Sequence, residues 1–193
     1  MIDTYIFSVG DQTEVKEWLD TNATDIFDEI VNSGTSILCK KDNLTVLSIG
    51  FDSNQTCVAK LSSSVSFTAR GYNQNHFTKA YRTTNGIYLF AKGSSYNVAV
   101  SATKNGDVYA NNGFDSIRSV GKIGAPSFTS ISAPTSFVIT ALSPAPYSSA
   151  SVSEDMLIPI WTQLTQQART YETYIVQINN INYVYDGFIA LRE

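Results

Sequence analysis

The hydrophobic period of the chain changes at Gly34, and this change constrains the fold more than any other feature. Beyond it, short apolar runs alternate with the period of 2 that is typical of strands, and the first two runs flank Asp42-Asn43. Three further turn dipeptides follow, Asn85-Gly86, Asn105-Gly106 and Asn112-Gly113, whose residues tolerate the positive φ of two-residue hairpin loops. The pattern predicts a mainly β fold, either an antiparallel β-sandwich or a partly closed barrel.

The first 33 residues show a different pattern, a strand followed by one or two short helices. Residues 2–9 can form a strand that Gly10 ends. Thr13 could cap a first helix and Thr24 a second one, and each helix would bury one apolar face. The buried faces would comprise Val15, Trp18 and Leu19 in the first helix, and Ile26, Phe27, Ile30 and Val31 in the second.

Composition along the chain suggests four segments. An N-terminal strand and acidic helical segment covers residues 1–33, and an antiparallel β domain covers residues 34–142. Residues 143–155 are rich in Pro and Ser and are typical of a connector. Residues 156–193 would form a C-terminal β meander, with residues 156–162 as a strand because Pro159 disfavours a helix there.

Charge and hydropathy exclude several classes of partner. Residues 1–33 hold eight acids and one lysine, a net charge of −7, whereas residues 34–193 carry +3 with scattered bases. The sequence therefore predicts no nucleic-acid binding. No apolar run is long enough to span a membrane, so no membrane insertion is expected. The start lacks the features of a signal peptide, so we expect folding in a cytoplasm.

Catalytic signals are weak throughout the chain. His76 is the single histidine, so one chain cannot build a metal site from several histidines. A Ser-His-Asp triad would have to use His76, and no serine lies in a recognisable nucleophile elbow. No phosphate-binding glycine loop occurs. The two cysteines, Cys39 and Cys57, are too few for a disulfide framework. The sequence predicts a protein that is not an enzyme and has no catalytic residue, metal or cofactor.

Aromatic residues crowd the central segment and suggest one candidate ligand site. A sugar ring stacks on an aromatic face while amides bond its hydroxyls, although such rings more often form β-sheet cores. The loop at residues 71–77 combines ring, amide and imidazole groups. The candidate sugar-binding residues are Tyr72, Asn73, Asn75 and His76.

The C-terminal meander is apolar on both faces. Two turn dipeptides, Asn179-Asn180 and Asp186-Gly187, separate three short runs of Ile, Val, Tyr and Phe. A sheet with one solvated face would be polar at alternate positions, so both faces should be covered, by the rest of the chain or by another subunit. The candidate assembly surface comprises Tyr174, Tyr183, Tyr185 and Phe188.

The last 40 residues or so resemble the ends of small virion proteins from tailed bacteriophages. The shared features are the hairpin at residues 178–180, the aromatic strand Tyr183-Val184-Tyr185, the turn at Gly187 and the final run at residues 189–193. The resemblance implies a structural virion component of the tail, baseplate, collar or capsid surface. It implies other virion proteins as partners and a homo-oligomer, located in the virion. The alternative from the aromatic loop is a carbohydrate-binding or host-attachment module that takes a cell-surface glycan.

Overall fold

The computed structural model describes residues 1–52, 55–61, 67–71, 76–91, 98–111, 117–122, 128–132, 138–145, 153–162, 173–185 and 189–193. Within these residues the chain forms 17 strands and one helix of 11 residues. Among the described strands, all pairs are antiparallel and no sheet closes into a barrel, which confirms the predicted mainly β fold with a short N-terminal helix. The elements are β1 (Asp3–Ile6), α1 (Gln12–Asn22), β2 (Glu29–Ser33), β3 (Ser36–Lys41), β4 (Leu44–Asp52), β5 (Gln55–Leu61), β6 (Phe67–Gly71), β7 (Lys79–Arg82), β8 (Gly86–Ala91), β9 (Val98–Thr103), β10 (Asp107–Asn111), β11 (Ile117–Lys122), β12 (Phe128–Ser132), β13 (Val138–Ala145), β14 (Ser153–Thr162), β15 (Tyr174–Ile178), β16 (Ile181–Tyr185) and β17 (Ala190–Arg192).

The described strands form three sheets, which we call front, central and back. The front sheet has the order β2-β3-β4-β5-β6. The central sheet has the order β1-β7-β8-β9-β10-β11-β12, so that the first strand of the chain lies at its edge. The back sheet has the order β13-β14-β17-β16-β15. Most neighbours in each sheet are also neighbours in sequence, as expected for strands joined by short hairpins.

The central sheet is packed on both faces. Every position of β8 and β9 is buried, and alternate residues face opposite sides. Ile87 and Leu89 join a front core with α1 and the front sheet, whereas Tyr88 and Phe90 join a back core. The back sheet closes that second core with Met156, Val184, Ile189 and Leu191.

The N-cap of the helix α1 lies two residues before the predicted cap at Thr13. Asp11 is the N-cap, and its carboxylate accepts a hydrogen bond from the Glu14 N–H at 3.0 Å. Thr13 lies in the first turn of the helix. The predicted apolar face is confirmed, because Val15, Trp18 and Leu19 are the buried residues of α1.

The predicted second helix is wrong. Residues 29–33 form β2, which pairs with β3 and places Ile30 opposite Cys39. Ile26 and Phe27 are buried, but in a turn after α1. A β-branched pair, Ile30 and Val31, suits a strand, and the neighbouring edge of β3 supplies main-chain partners that the helical pattern could not reveal. Gly34, where the hydrophobic period changes, lies in the β2–β3 turn at φ +58°.

The predicted turn dipeptides lie in hairpin turns wherever they are described. Asp42 and Asn43 have φ of 51° and 62°, and Asn179 and Asn180 have 51° and 64°, as a two-residue hairpin loop requires. Asn105-Gly106 joins β9 to β10, and Asn85 precedes β8. Asn112-Gly113 and Asp186-Gly187 lie outside the described residues.

The predicted strand at residues 156–162 is confirmed as part of β14. Pro159 lies within the strand and is paired in register with Leu142. The strands β13 and β14 also include both ends of the predicted connector, since β13 continues to Ala145 and β14 begins at Ser153. The intervening residues 146–152 lie outside the described part of the chain.

Candidate functional site

The first strand, β1, leaves one main-chain edge open. Within the described part of the chain it pairs only with β7, and all four of its residues are exposed. Just beyond it, the Phe7 N–H donates to the Thr78 carbonyl across the β1–β7 pair at 3.1 Å. Because hydrogen-bonding direction alternates along an antiparallel strand, Thr4 and Ile6 direct their N–H and C=O groups away from β7. This edge can therefore accept another strand.

Large exposed apolar residues are concentrated around the same edge. Of the six such residues in the described part of the chain, four lie within the first nine positions. Ile6 is 66% exposed and Val9 is 56% exposed. An open edge that carries apolar side chains is the usual site of strand addition by another polypeptide.

A groove of about 330 Å³ lies between β1 and α1. Three carboxylates and one guanidinium line it, together with the rings of Tyr5 and Trp18. Tyr5 is 41% exposed, whereas Trp18 is buried. The lining residues are Asp3, Thr4, Tyr5, Glu14, Glu17, Trp18, Thr21, Asn22 and Arg82.

Glu14 fixes the position of α1 relative to β1. Its carboxylate accepts hydrogen bonds from the N–H groups of Ser8, Val9 and Gly10 at 2.7 to 2.8 Å, and from the Tyr5 hydroxyl at 3.2 Å. Desolvation acts to raise the pKa of Glu14, but the main-chain donors outweigh it and hold the pKa below its usual value. Glu14 is therefore a structural acceptor, and its carboxylate is not available to a ligand.

We expect Glu14→Gln to lower the stability of the isolated protein by about 1–2 kcal/mol at neutral pH, because the amide group offers only one acceptor oxygen to the converging N–H groups. The pKa of Glu14 is lower in the folded protein than in the unfolded chain, where it is about 4.3. The carboxylate therefore contributes its full stabilisation above about pH 4.3, and the protein loses this stabilisation as the pH falls through the folded pKa. Urea unfolding at several pH values measures the difference. Glu17→Gln, on the same helix, should show little change, and an equal pH-dependent loss in both variants would contradict this assignment.

An ionic cluster borders the groove at Arg82. Asp25 Oδ2 lies 2.6 Å from Arg82 Nη2 and 2.9 Å from Lys104 Nζ. Desolvation opposes the effect of these cations, but together they hold the pKa of Asp25 below its usual value. Arg82 lies opposite Asp3 in the β1–β7 pair, so the cluster ties the turn after α1 to the edge of the central sheet.

The predicted sugar-binding loop is mostly outside the described residues. Tyr72, Asn73 and Asn75 fall there, and His76 is exposed beside the buried Phe77. The described residues thus bring no second member of this predicted site next to His76.

The predicted assembly surface on the meander is largely internal where it is described. Tyr183 and Tyr185 are 6% and 4% exposed, because they pack with Leu157 and Ala190 in a cluster of the back sheet. The Tyr174 side chain and Phe188 lie outside the described part. Among the described side chains of this meander, the large apolar residue that is exposed is Ile175, at 50%, on the edge strand β15.

The β1 edge was missed as a site by the sequence interpretation, although its strand was predicted. One signal was present: Tyr5, Ile6 and Val9 are apolar residues that do not all fall on one face of a strand. What the sequence could not reveal is that β1 lies at the edge of its sheet, since that depends on its pairing with β7 far along the chain.

Burial limits the reactivity of the Cys39 thiol toward thiol reagents. Burial raises its pKa to about 12, so the reactive thiolate is scarce near neutral pH. In a Cys57→Ser background, we expect a thiol reagent at pH 8 to label Cys39 at least about a hundredfold more slowly in the folded chain than in urea. Equal labelling rates would show that Cys39 is accessible.

The described residues include neither a cluster of metal-binding side chains nor a membrane-spanning helix. They contain no group of three or more His, Cys, Asp or Glu side chains that could hold a metal ion. The described helix is too short and too polar to cross a membrane.

Comparison with known proteins gives no match: no family model, no curated protein and no solved structure is significantly similar to this chain.

Proposed function

We propose that the protein is a structural component of a tailed-phage virion that acts through protein–protein assembly contacts. The observation that carries the assembly role is the open edge of β1 with its exposed apolar residues. The resemblance of the C-terminal residues to virion proteins supports the phage assignment. No catalytic step is part of the proposed role.

The location of the exposed apolar surface favours assembly. The inner strands β8 and β9 of the central sheet bury their large residues against two other sheets, so the chain covers its own cores there. Three of the six large apolar side chains that are exposed in the described residues lie on edge strands, Tyr5 and Ile6 on β1 and Ile175 on β15. Edge strands of this kind are liabilities in a monomer and become contacts in an assembly.

The experiment measures incorporation into particles. The phage that encodes the chain is grown with tagged versions of it, and gradient-purified particles are analysed by quantitative mass spectrometry. We expect the wild-type chain at a fixed copy number per particle. Ile6→Ser should reduce incorporation about tenfold, because burying such a side chain contributes about 1.5–3 kcal/mol. The matched control is Leu44→Ser, an exposed residue (51%) on the front sheet.

Absence of the chain from purified particles would overturn the virion assignment. Full incorporation of Ile6→Ser would overturn the assembly role of the β1 edge.

The second candidate function, carbohydrate binding, draws on the exposed Tyr5 ring beside the carboxylates of Asp3 and Glu17 in the groove. A glycan array with the purified chain tests it, and specific binding lost in Tyr5→Ala would support it.

A further inference from the structure

The groove between β1 and α1 carries carboxylates that form no ion pair with the residues that the structure describes. Asp3 and Glu17 line it, and within the described residues neither carboxylate forms an ion pair. Desolvation and the carboxylates of Glu14 and Glu17 raise the pKa of Tyr5. The whole segment of residues 1–33 has a net charge of −7. A cation is therefore the complementary group for this groove.

The Lys and Arg side chains that the structure describes already have partners elsewhere in the chain. Lys79, for example, donates to the Thr173 carbonyl at 3.0 Å, and Arg192 also has a partner. The cationic side chains that the structure describes are thus not free in a second copy, which favours a different polypeptide as the occupant. The remaining pairs are Lys16–Asp20, Lys40–Glu29, Lys41–Asp28, Arg82–Asp25 and Lys104–Asp25.

The groove and the open edge of β1 adjoin one another. Thr4 lines the groove, although its register with Tyr81 places its side chain on the opposite face of the sheet. The main chain of β1 therefore borders the groove. A strand added along the outer edge would bond to Thr4 and Ile6, and a long side chain from it could reach across β1 into the groove.

We propose that an extended segment of another protein pairs with the outer edge of β1 and places a Lys or Arg side chain in the groove. The cation would lie near the Glu17 carboxylate and the partly exposed Tyr5, whose aromatic ring attracts cations. The partner is thus a basic, extended peptide segment. This inference rests on the proposed assembly function, since it names the chemistry of the contact.

The test uses a blocked synthetic peptide, acetyl-TVTKTVT-amide, as the probe. The full chain labelled with ¹⁵N is titrated with it, and amide and indole shifts are followed by NMR. We expect saturable shifts at Thr4, Ile6 and the Trp18 indole. The peptide with Glu in place of Lys should bind at least about fivefold more weakly, because it presents a like charge to the groove.

Two variants separate the two parts of the contact. Glu17→Gln should weaken binding of the Lys peptide about fivefold, whereas Glu29→Gln, which makes the same change in net charge outside the groove, should not. Ile6→Pro removes one outward N–H and leaves the Phe7 N–H that bonds to Thr78, so it should weaken binding of the Lys and Glu peptides alike. Thermal melting of each variant checks that it is folded, and if Ile6→Pro does not fold, Thr4→Pro replaces it.

Equal binding of the Lys and Glu peptides, or equal effects of Glu17→Gln and Glu29→Gln, would overturn the proposal. NMR shifts confined to residues away from the groove would also overturn the proposal. Binding of a glycan that depends on Tyr5 and displaces the peptide would overturn it too, because the groove would then be a sugar site. These failures are distinct from failure of the proposed function, because Ile6→Ser could still lower particle incorporation through apolar contacts alone. If the chain is absent from particles, the proposed function fails whether or not the peptide binds.

Discussion

Deletion of residues 174–193 is expected to abolish the folded state of the whole chain. It removes β15, β16 and β17, and with them Val184, Ile189 and Leu191, which are fully buried against the aromatic face of the central sheet. Tyr88 and Tyr109, both fully buried, would then face solvent. Burying each large apolar side chain contributes about 1.5–3 kcal/mol, so the loss approaches the whole stability of about 5–15 kcal/mol of a typical domain.

The measurement is solubility, gel filtration and thermal melting of the truncated chain. A point substitution tests the same interface more mildly: Tyr185→Asp should lower the melting temperature of the isolated protein, because Tyr185 is buried within the chain. Ile175→Ser is the control on the same meander and should melt like the wild type, since its side chain is half exposed. A soluble truncated chain that keeps its melting transition would contradict this account.

Gly10→Ala is expected to destabilise the protein by about 3 kcal/mol or more, because the site combines a left-handed backbone with a steric clash. Gly10 has φ +72°, and a Cβ added there would lie 1.8 Å from the Phe77 carbonyl oxygen. That neighbour is main chain and cannot rotate away. Gly10 also accepts a hydrogen bond from the Phe77 N–H at 2.8 Å, so the position joins the loop before α1 to the segment before β7.

Gly34→Ala is the matched control for this substitution. Gly34 has φ +58°, yet a Cβ there would meet nothing within 4 Å. Its cost should be the backbone strain alone, about 1–2 kcal/mol. Urea unfolding of both variants gives the difference. Equal losses at the two glycines would show that the backbone of Phe77 moves aside, and the proposed role of Gly10 as a fixed contact would then be wrong.

The hairpins were predictable from the sequence because their signals are local. A positive φ at two successive residues depends on the residue types themselves, and Asp42-Asn43 and Asn179-Asn180 adopt it in the structure. The face of α1 was predictable for the same reason, since the 3.6-residue period of Val15, Trp18 and Leu19 is a property of one short segment. Local patterns thus determined the mainly β class and most turns.

Only the tertiary structure decided which strands lie at edges and which faces are covered. Ile30 and Val31 fit a helical face equally well in sequence, and pairing with β3 selected the strand. In sequence, Tyr183 and Tyr185 fit either a subunit contact or the core, and the packing of the back sheet places them inside the chain. The candidate site depends on β1 pairing with β7, more than 70 residues away. Strand pairing and burial depend on contacts between segments that are distant in sequence. A local pattern therefore does not show which segment each strand pairs with.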